Sequence, residues 1–193
     1  MGNKNSVFSE EQLDNYVDAT FLTKTEVLRV FKRFQDISGQ KDNKELTFED
    51  LQHIRIKYSE LSRCPELKEN PFRKRICKVF SADYPNDDVE NKGLDFNEFL
   101  MLYSVFSDNA PREIKVHYAF QIYDFDGDNY INASDIELAA KLLTQNELCV
   151  QEIKEIVESV LIEGDIDDDK KLSPNEFEHV ITKSPDFFNI FSL

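Results

Sequence analysis

Apolar residues recur at intervals of three and four along most of the chain, which is the period of helices with one buried face. Leu13, Tyr16 and Val17 follow Ser9-Glu10-Glu11-Gln12, a capping box that marks where a helix begins. Thr23-Lys24-Thr25-Glu26 is a second box, and Val27, Leu28, Phe31 and Phe34 predict one face of a longer helix. Cys64-Pro65 and Asn70-Pro71 punctuate the middle of the chain. Beyond them, Phe72, Ile76, Val79 and Phe80 predict one helix, and Phe96, Phe99, Leu100, Tyr103 and Phe106 a strongly apolar next one. Pro111 suits a helix start. Ile114, Tyr118, Phe120 and Tyr123 then lead to Ile136, Ala139, Ala140 and Leu143, and Val150, Ile153, Val157, Val160 and Leu161 form another amphipathic stretch. The many Phe residues fall on these faces and are expected in the core.

Between the helices the polar residues have their own spacing. Asp124-Phe-Asp126-Gly-Asp128-Asn-Tyr130 puts carboxylates at alternate places of a twelve-residue stretch that Asp135 closes. Asp165, Asp167, Asp169, Lys171 and Glu176 repeat the arrangement. A hard divalent cation wants about six to eight oxygens, and a chain wrapped round one ion turns alternate side chains inward. The seventh place serves through its backbone carbonyl, so Tyr130 and Lys171 qualify. Ile131 and Leu172 at the eighth place suit a short strand that pairs the two loops. Asn129 and Lys170 stand at the sixth place, where glycine suits a left-handed turn. Asparagine tolerates that conformation, whereas lysine loses about 1–2 kcal/mol there. Asp135 is one methylene shorter than a glutamate, and one-oxygen ligation favours six-coordinate Mg²⁺, so the third loop is expected to take Mg²⁺ as well as Ca²⁺. The fourth, with Glu176, is expected to take Ca²⁺.

Two weaker echoes precede these loops. With Leu46 at the eighth place and the helix starting at Phe48-Glu49-Asp50-Leu51, Gly39 falls first and Lys41 third, and neither is a ligand. Leu94 and Glu98 set the next register, with Asp87 first but Val89 third, so this loop is also expected to be empty, although Asn91, Asp95 and Glu98 carry oxygens. Four such units make two pairs.

The formal net charge of −15 argues against nucleic acid and fits a binder of cations or basic peptides. No apolar run approaches the ~18 residues of a membrane span. Cys64, Cys77 and Cys149 are scattered, which predicts reduced thiols and a cytoplasmic setting. His53, His117 and His179 are isolated, and no nucleophile stands with a base, so catalysis is not expected. Met1-Gly2-Asn3-Lys4-Asn5-Ser6 satisfies the N-myristoylation pattern, with Gly2 as the acylated residue. One myristoyl chain gives reversible membrane association, which predicts a share of the protein at the cytoplasmic face of the plasma membrane. At the other end, Asp186-Phe187-Phe188-Asn189-Ile190-Phe191-Ser192-Leu193 is expected to pack into the core or to cover a groove.

The assembled pattern resembles the calcium and integrin-binding protein family, within the EF-hand superfamily. The resemblance rests on the M-G-N-K start, Thr20-Phe21-Leu22-Thr23-Lys24, Pro65-Glu66-Leu67-Lys68 with Asn70-Pro71-Phe72, Tyr118-Ala119-Phe120 with Ile122-Tyr123-Asp124-Phe125, and Ser184-Pro185-Asp186-Phe187. It implies an all-α fold of four EF-hand units in two paired lobes, with short two-stranded ribbons between paired loops and only the last two loops filled. It also implies acylation at Gly2, and a hydrophobic channel for an amphipathic helix from a membrane protein's cytoplasmic segment, such as an integrin α tail or a transmembrane channel-like protein. The expected organisation is an N-terminal segment over 1–22, a degenerate pair over 23–108, a metal-binding pair over 109–183 and an apolar tail over 184–193. The expected function is a metal-regulated adaptor. A calcineurin B-like regulatory subunit and a plain calcium buffer are the alternatives.

Overall fold

The computed structural model describes residues 7–39, 47–51, 53–82 and 93–183. Gly2, Lys41, Leu46, Asp87, Val89, Asn91 and the tail 184–193 lie outside the described residues.

The chain folds as α1 (Glu10–Ala19), α2 (Lys24–Ile37), the single turn α3 (Phe48–Leu51), a 3₁₀ turn (Leu61–Arg63), α4 (Pro65–Lys68), α5 (Arg73–Phe80) and α6 (Phe96–Phe106). The C-terminal pair follows as α7 (Arg112–Tyr123), β1 (Ile131–Asn132), α8 (Ala133–Leu143), α9 (Val150–Gly164), β2 (Lys171–Leu172) and α10 (Pro174–Thr182). The boxes at Ser9 and Thr23 cap α1 and α2 as their sequences predict, with side chain and backbone bonding reciprocally.

Strands β1 and β2 pair antiparallel, with Ile131 opposite Leu172, so the eighth places of the last two loops meet. In the N-terminal pair the equivalent contact is a single bridge between Ile56 and Leu94. Its two amide hydrogen bonds measure 2.7 and 2.9 Å. This corrects the register expected for the first loop: its eighth place is Ile56, ten residues beyond Leu46. The local pattern is ambiguous because it occurs twice. Thr47 N–H donates to Asp50 at 2.9 Å just as Lys57 N–H donates to Glu60 at 2.9 Å. Only the long-range pairing with Leu94 separates the two. In the corrected register the third place is Leu51, buried in α3, which offers no oxygen side chain.

The N-terminal core is aromatic. Phe8 stacks on Phe96 at 5.8 Å, and Phe31 and Phe34 meet the same ring edge-on at 5.7 and 5.4 Å. On α2 the buried face is Val27, Val30, Phe31, Phe34 and Ile37. Leu28, expected on that face, is 43% exposed, because one residue past Val27 is a rotation of about 100°. Phe72 reaches across to Tyr123 with ring centroids 5.1 Å apart, so the two pairs share packing.

Candidate metal centre

The third loop is shaped by its own carboxylates. Asp124 is 4% exposed and accepts from Gly127 N–H at 2.7 Å and Asn129 N–H at 3.1 Å. Asp126 accepts from Asp128 N–H, and Asp128 from Tyr130 N–H. These bonds curl the backbone so that oxygens of Asp124, Asp126 and Asp128 lie within 4.8 Å of one another. Asp135 is buried, and its two oxygens accept from Phe125 N–H and Asn132 N–H at 3.0 Å each.

The fourth loop repeats this. Asp165 accepts from Asp169 and Lys170 N–H, and oxygens of Asp165, Asp167 and Asp169 also lie within 4.8 Å of one another. Glu176 accepts from Ile166 N–H and Ser173 N–H, each at 2.8 Å. Asp135 therefore keeps the same two amide partners as Glu176 despite its missing methylene. Neither twelfth-place carboxylate joins the three-carboxylate clusters found among the described residues. The seventh-place side chains meet across the ribbon, with the Lys171 ammonium 3.4 Å over the Tyr130 ring.

Asn129 and Lys170 both adopt positive φ, +66° and +65°, as their place in the loop requires. The fourth place does so too: Gly127 is at +76° and Asp168 at +61°. The sequence reading did not single out that place, and the glycine at 127 was the available signal.

Crowding shows in the protonation equilibria. Burial raises the carboxyls of Asp124 and Asp135 above their ordinary range, and the neighbouring Asp126 adds repulsion to both. Asp167 is raised by desolvation and then by Asp169. Glu176 goes the other way: the Ser173 hydroxyl and the Ser173 and Ile166 amides pull it down to about 2. Each loop thus offers converging hard carboxylate oxygens whose mutual repulsion a divalent cation relieves, and the donor set fits Ca²⁺ or Mg²⁺.

A family described as an EF-hand domain pair matches residues 113–182. Over 193 residues, covering all of this chain and 99% of the relative, the sequence is 44% identical to Calcium and integrin-binding family member 2 of Drosophila melanogaster. It is 40% identical, with the same coverage, to human Calcium and integrin-binding family members 3 and 2. The chain belongs to the calcium and integrin-binding protein family. For this member of the calcium and integrin-binding family, the EF-hand pair and its two acidic clusters indicate calcium binding.

Two arginines that the sequence reading passed over complete the picture. Arg55, at the seventh place of the first loop, donates from Nη2 to both oxygens of Glu98 at 3.2 and 2.9 Å, and from Nε to the Gly93 carbonyl. Ala82 N–H also donates to Glu98 at 2.7 Å. In the second loop the closing carboxylate is thus neutralised by a guanidinium. Arg75 is 6% exposed and reaches from α5 to the start of the third loop. Arg75 left a trace in the sequence: it sits three residues after Phe72 and four before Val79, on an otherwise apolar helical face.

Proposed function

We propose that the chain is a Ca²⁺- and Mg²⁺-responsive adaptor that receives an amphipathic helix from the cytoplasmic segment of a membrane protein. The observation that carries this reading is an apolar cavity of about 240 Å³ in the C-terminal pair, lined by Tyr123, Ile131, Leu143, Val160, Leu172 and Phe177 among others. Ile131 and Leu172 are the paired eighth places of the two acidic loops, so the ribbon that joins the loops is also a wall of the cavity. Ion binding that fixes the loops fixes that wall. A cavity of this kind supports an adaptor over a buffer, which has no use for an apolar receptor site.

The relatives are named for integrin binding, so an integrin α cytoplasmic tail is the partner proposed first, and a transmembrane channel-like protein the second. Mg²⁺ is proposed for the third loop because of the short Asp135 side chain. Acylation at Gly2 is proposed as a reversible membrane attachment that holds the adaptor near such partners at the cytoplasmic face of the plasma membrane. Among the described residues no helix is long and apolar enough to cross a membrane.

The test is calorimetric titration of a synthetic integrin α-tail helix into the full chain with Ca²⁺, with Mg²⁺ and with chelator. A transmembrane channel-like segment is measured alongside. Binding is expected with the ions and is expected to weaken at least tenfold with chelator and with Leu143→Glu, a cavity residue that is 51% exposed and so not required by the core. Equal affinity under all three conditions and in the variant would refute the reading.

A further inference from the structure

The two acidic loops differ in what stands behind them. Arg75, on α5 of the N-terminal pair, donates from Nη2 to the carbonyls of Gln121, at 2.7 Å, and Asp124. Its Nε donates to Ile122 O at 3.3 Å and its Nη1 to Phe125 O at 3.4 Å. Gln121 and Ile122 lie in the last turn of α7, where carbonyls have run out of helical partners and the negative end of the helix dipole favours a cation. Asp124 and Phe125 are the first two places of the third loop.

Phe125 is the junction. Its N–H donates to the twelfth-place carboxylate of Asp135, while its carbonyl accepts from Arg75. Its ring lies 5.5 Å from the Arg75 guanidinium and 6.5 Å from the ring of Phe72, which precedes α5. Asp124 is joined in the same way: its carboxylate belongs to the acidic cluster and its carbonyl to Arg75. In the fourth loop the residue equivalent to Phe125 is Ile166, which makes the same amide bond to Glu176 but is 69% exposed.

We propose that Arg75 is a positioning residue that couples ion occupancy of the third loop, and not of the fourth, to the docking of α5 in the N-terminal pair. The proposal rests on the reading of Asp124–Asp135 as a metal loop. The Asp124–Phe125 peptide unit accepts from Arg75 at its carbonyl and donates to the Asp135 carboxylate at its N–H, so conditions that fix this backbone also fix the carbonyls that hold α5. The linkage is reciprocal: firm docking of α5 must favour ion binding at the third loop to the same degree.

Hydrogen exchange of residues 73–80 in the full chain, read with Ca²⁺ and with chelator, tests this, with calorimetry reporting occupancy of the loops. In the wild type Ca²⁺ is expected to slow exchange over 73–80 about tenfold. Asp167→Asn, in the fourth loop, keeps that slowing, and Asp126→Asn, in the third, loses it. Arg75→Lys preserves the charge but not the fork of donors. It is expected to retain calcium heat at the third loop, to hold the slowing below about twofold, and to exchange faster than wild type even with chelator. Should that variant not fold, Phe125→Leu removes the ring from Arg75 and Phe72, and the slowing should weaken likewise. Undiminished slowing in Arg75→Lys, or equal loss in Asp167→Asn and Asp126→Asn, overturns the coupling. Calcium uptake by the wild type without slowing also overturns the coupling alone. No calcium uptake at all overturns the metal reading, and the coupling with it.

Discussion

Replacing Lys170 with glycine should stabilise the calcium-saturated protein, and the size of the gain follows from one dihedral angle. Lys170 sits at φ +65°. Holding a residue with a Cβ there costs about 1–2 kcal/mol, and glycine removes that cost. Glycine also has more freedom in the unfolded chain, which takes back about 0.4–1 kcal/mol. The net expectation is a gain of about 0.5–1 kcal/mol, or roughly 1–4 °C in the midpoint of thermal unfolding for a chain of this size. The hydrogen bond from Lys170 N–H to Asp165 at 2.9 Å is a main-chain bond, so glycine keeps it. The substitution also removes a positive charge beside the acidic cluster. Lys170→Gln removes the same charge while keeping the strained backbone, and is the control. Both variants are unfolded by heat in saturating Ca²⁺ and followed by circular dichroism. If Lys170→Gly is no more stable than Lys170→Gln, the strain argument is wrong. Asn129→Gly should gain less than ~0.5 kcal/mol, since asparagine already tolerates the conformation.

Four further outcomes can be checked. Arg55→Met should destabilise the N-terminal pair by about 1–2 kcal/mol in urea unfolding, because Glu98 keeps its burial and loses its charged partner, and adding Glu98→Gln should restore part of the loss. Gly93→Ala should be worse, about 3 kcal/mol or more, since a Cβ there would stand 2.1 Å from the Ile56 carbonyl at φ +70°; wild-type stability in the same assay would contradict the bridge geometry. Burial raises Cys64 to about 11 and Cys77 to about 12, so iodoacetamide at pH 8 should label the exposed Cys149 alone, and stability should fall as pH rises above about 9, where the unfolded chain releases thiol protons that the folded chain retains, by up to ~1.4 kcal/mol per pH unit for each thiol. Asp135→Glu should shift the third loop from Mg²⁺ toward Ca²⁺ in paired calorimetric titrations, and an unchanged preference would show that the short carboxylate does not set it.

The acidic loops were legible in the sequence because their chemistry is local. Ligand spacing, the apolar eighth place and the left-handed sixth place all fall within twelve residues, and Asn129 and Lys170 adopt the backbone that position demands. The first loop was not legible, for the opposite reason. Leu46 with Asp50 and Ile56 with Glu60 carry the same short pattern, and the choice between them lies in a bond to Leu94, some forty residues away. Arg75 was hidden by a sound rule, that charged side chains belong at the surface. Arg75 breaks it because four main-chain carbonyls accept from it, whereas Arg55 is half-buried and was hidden because its acceptors, Glu98 and Gly93, lie far along the chain.

A guanidinium covalently tied to the chain cannot diffuse away as an ion can. The link between Arg55 and Glu98 therefore forms without a metal ion, and salt weakens it only by screening. As the rear loops load and empty, the Arg55–Glu98 end of the front half is expected to stay closed, while α5, held through Arg75, follows the third loop.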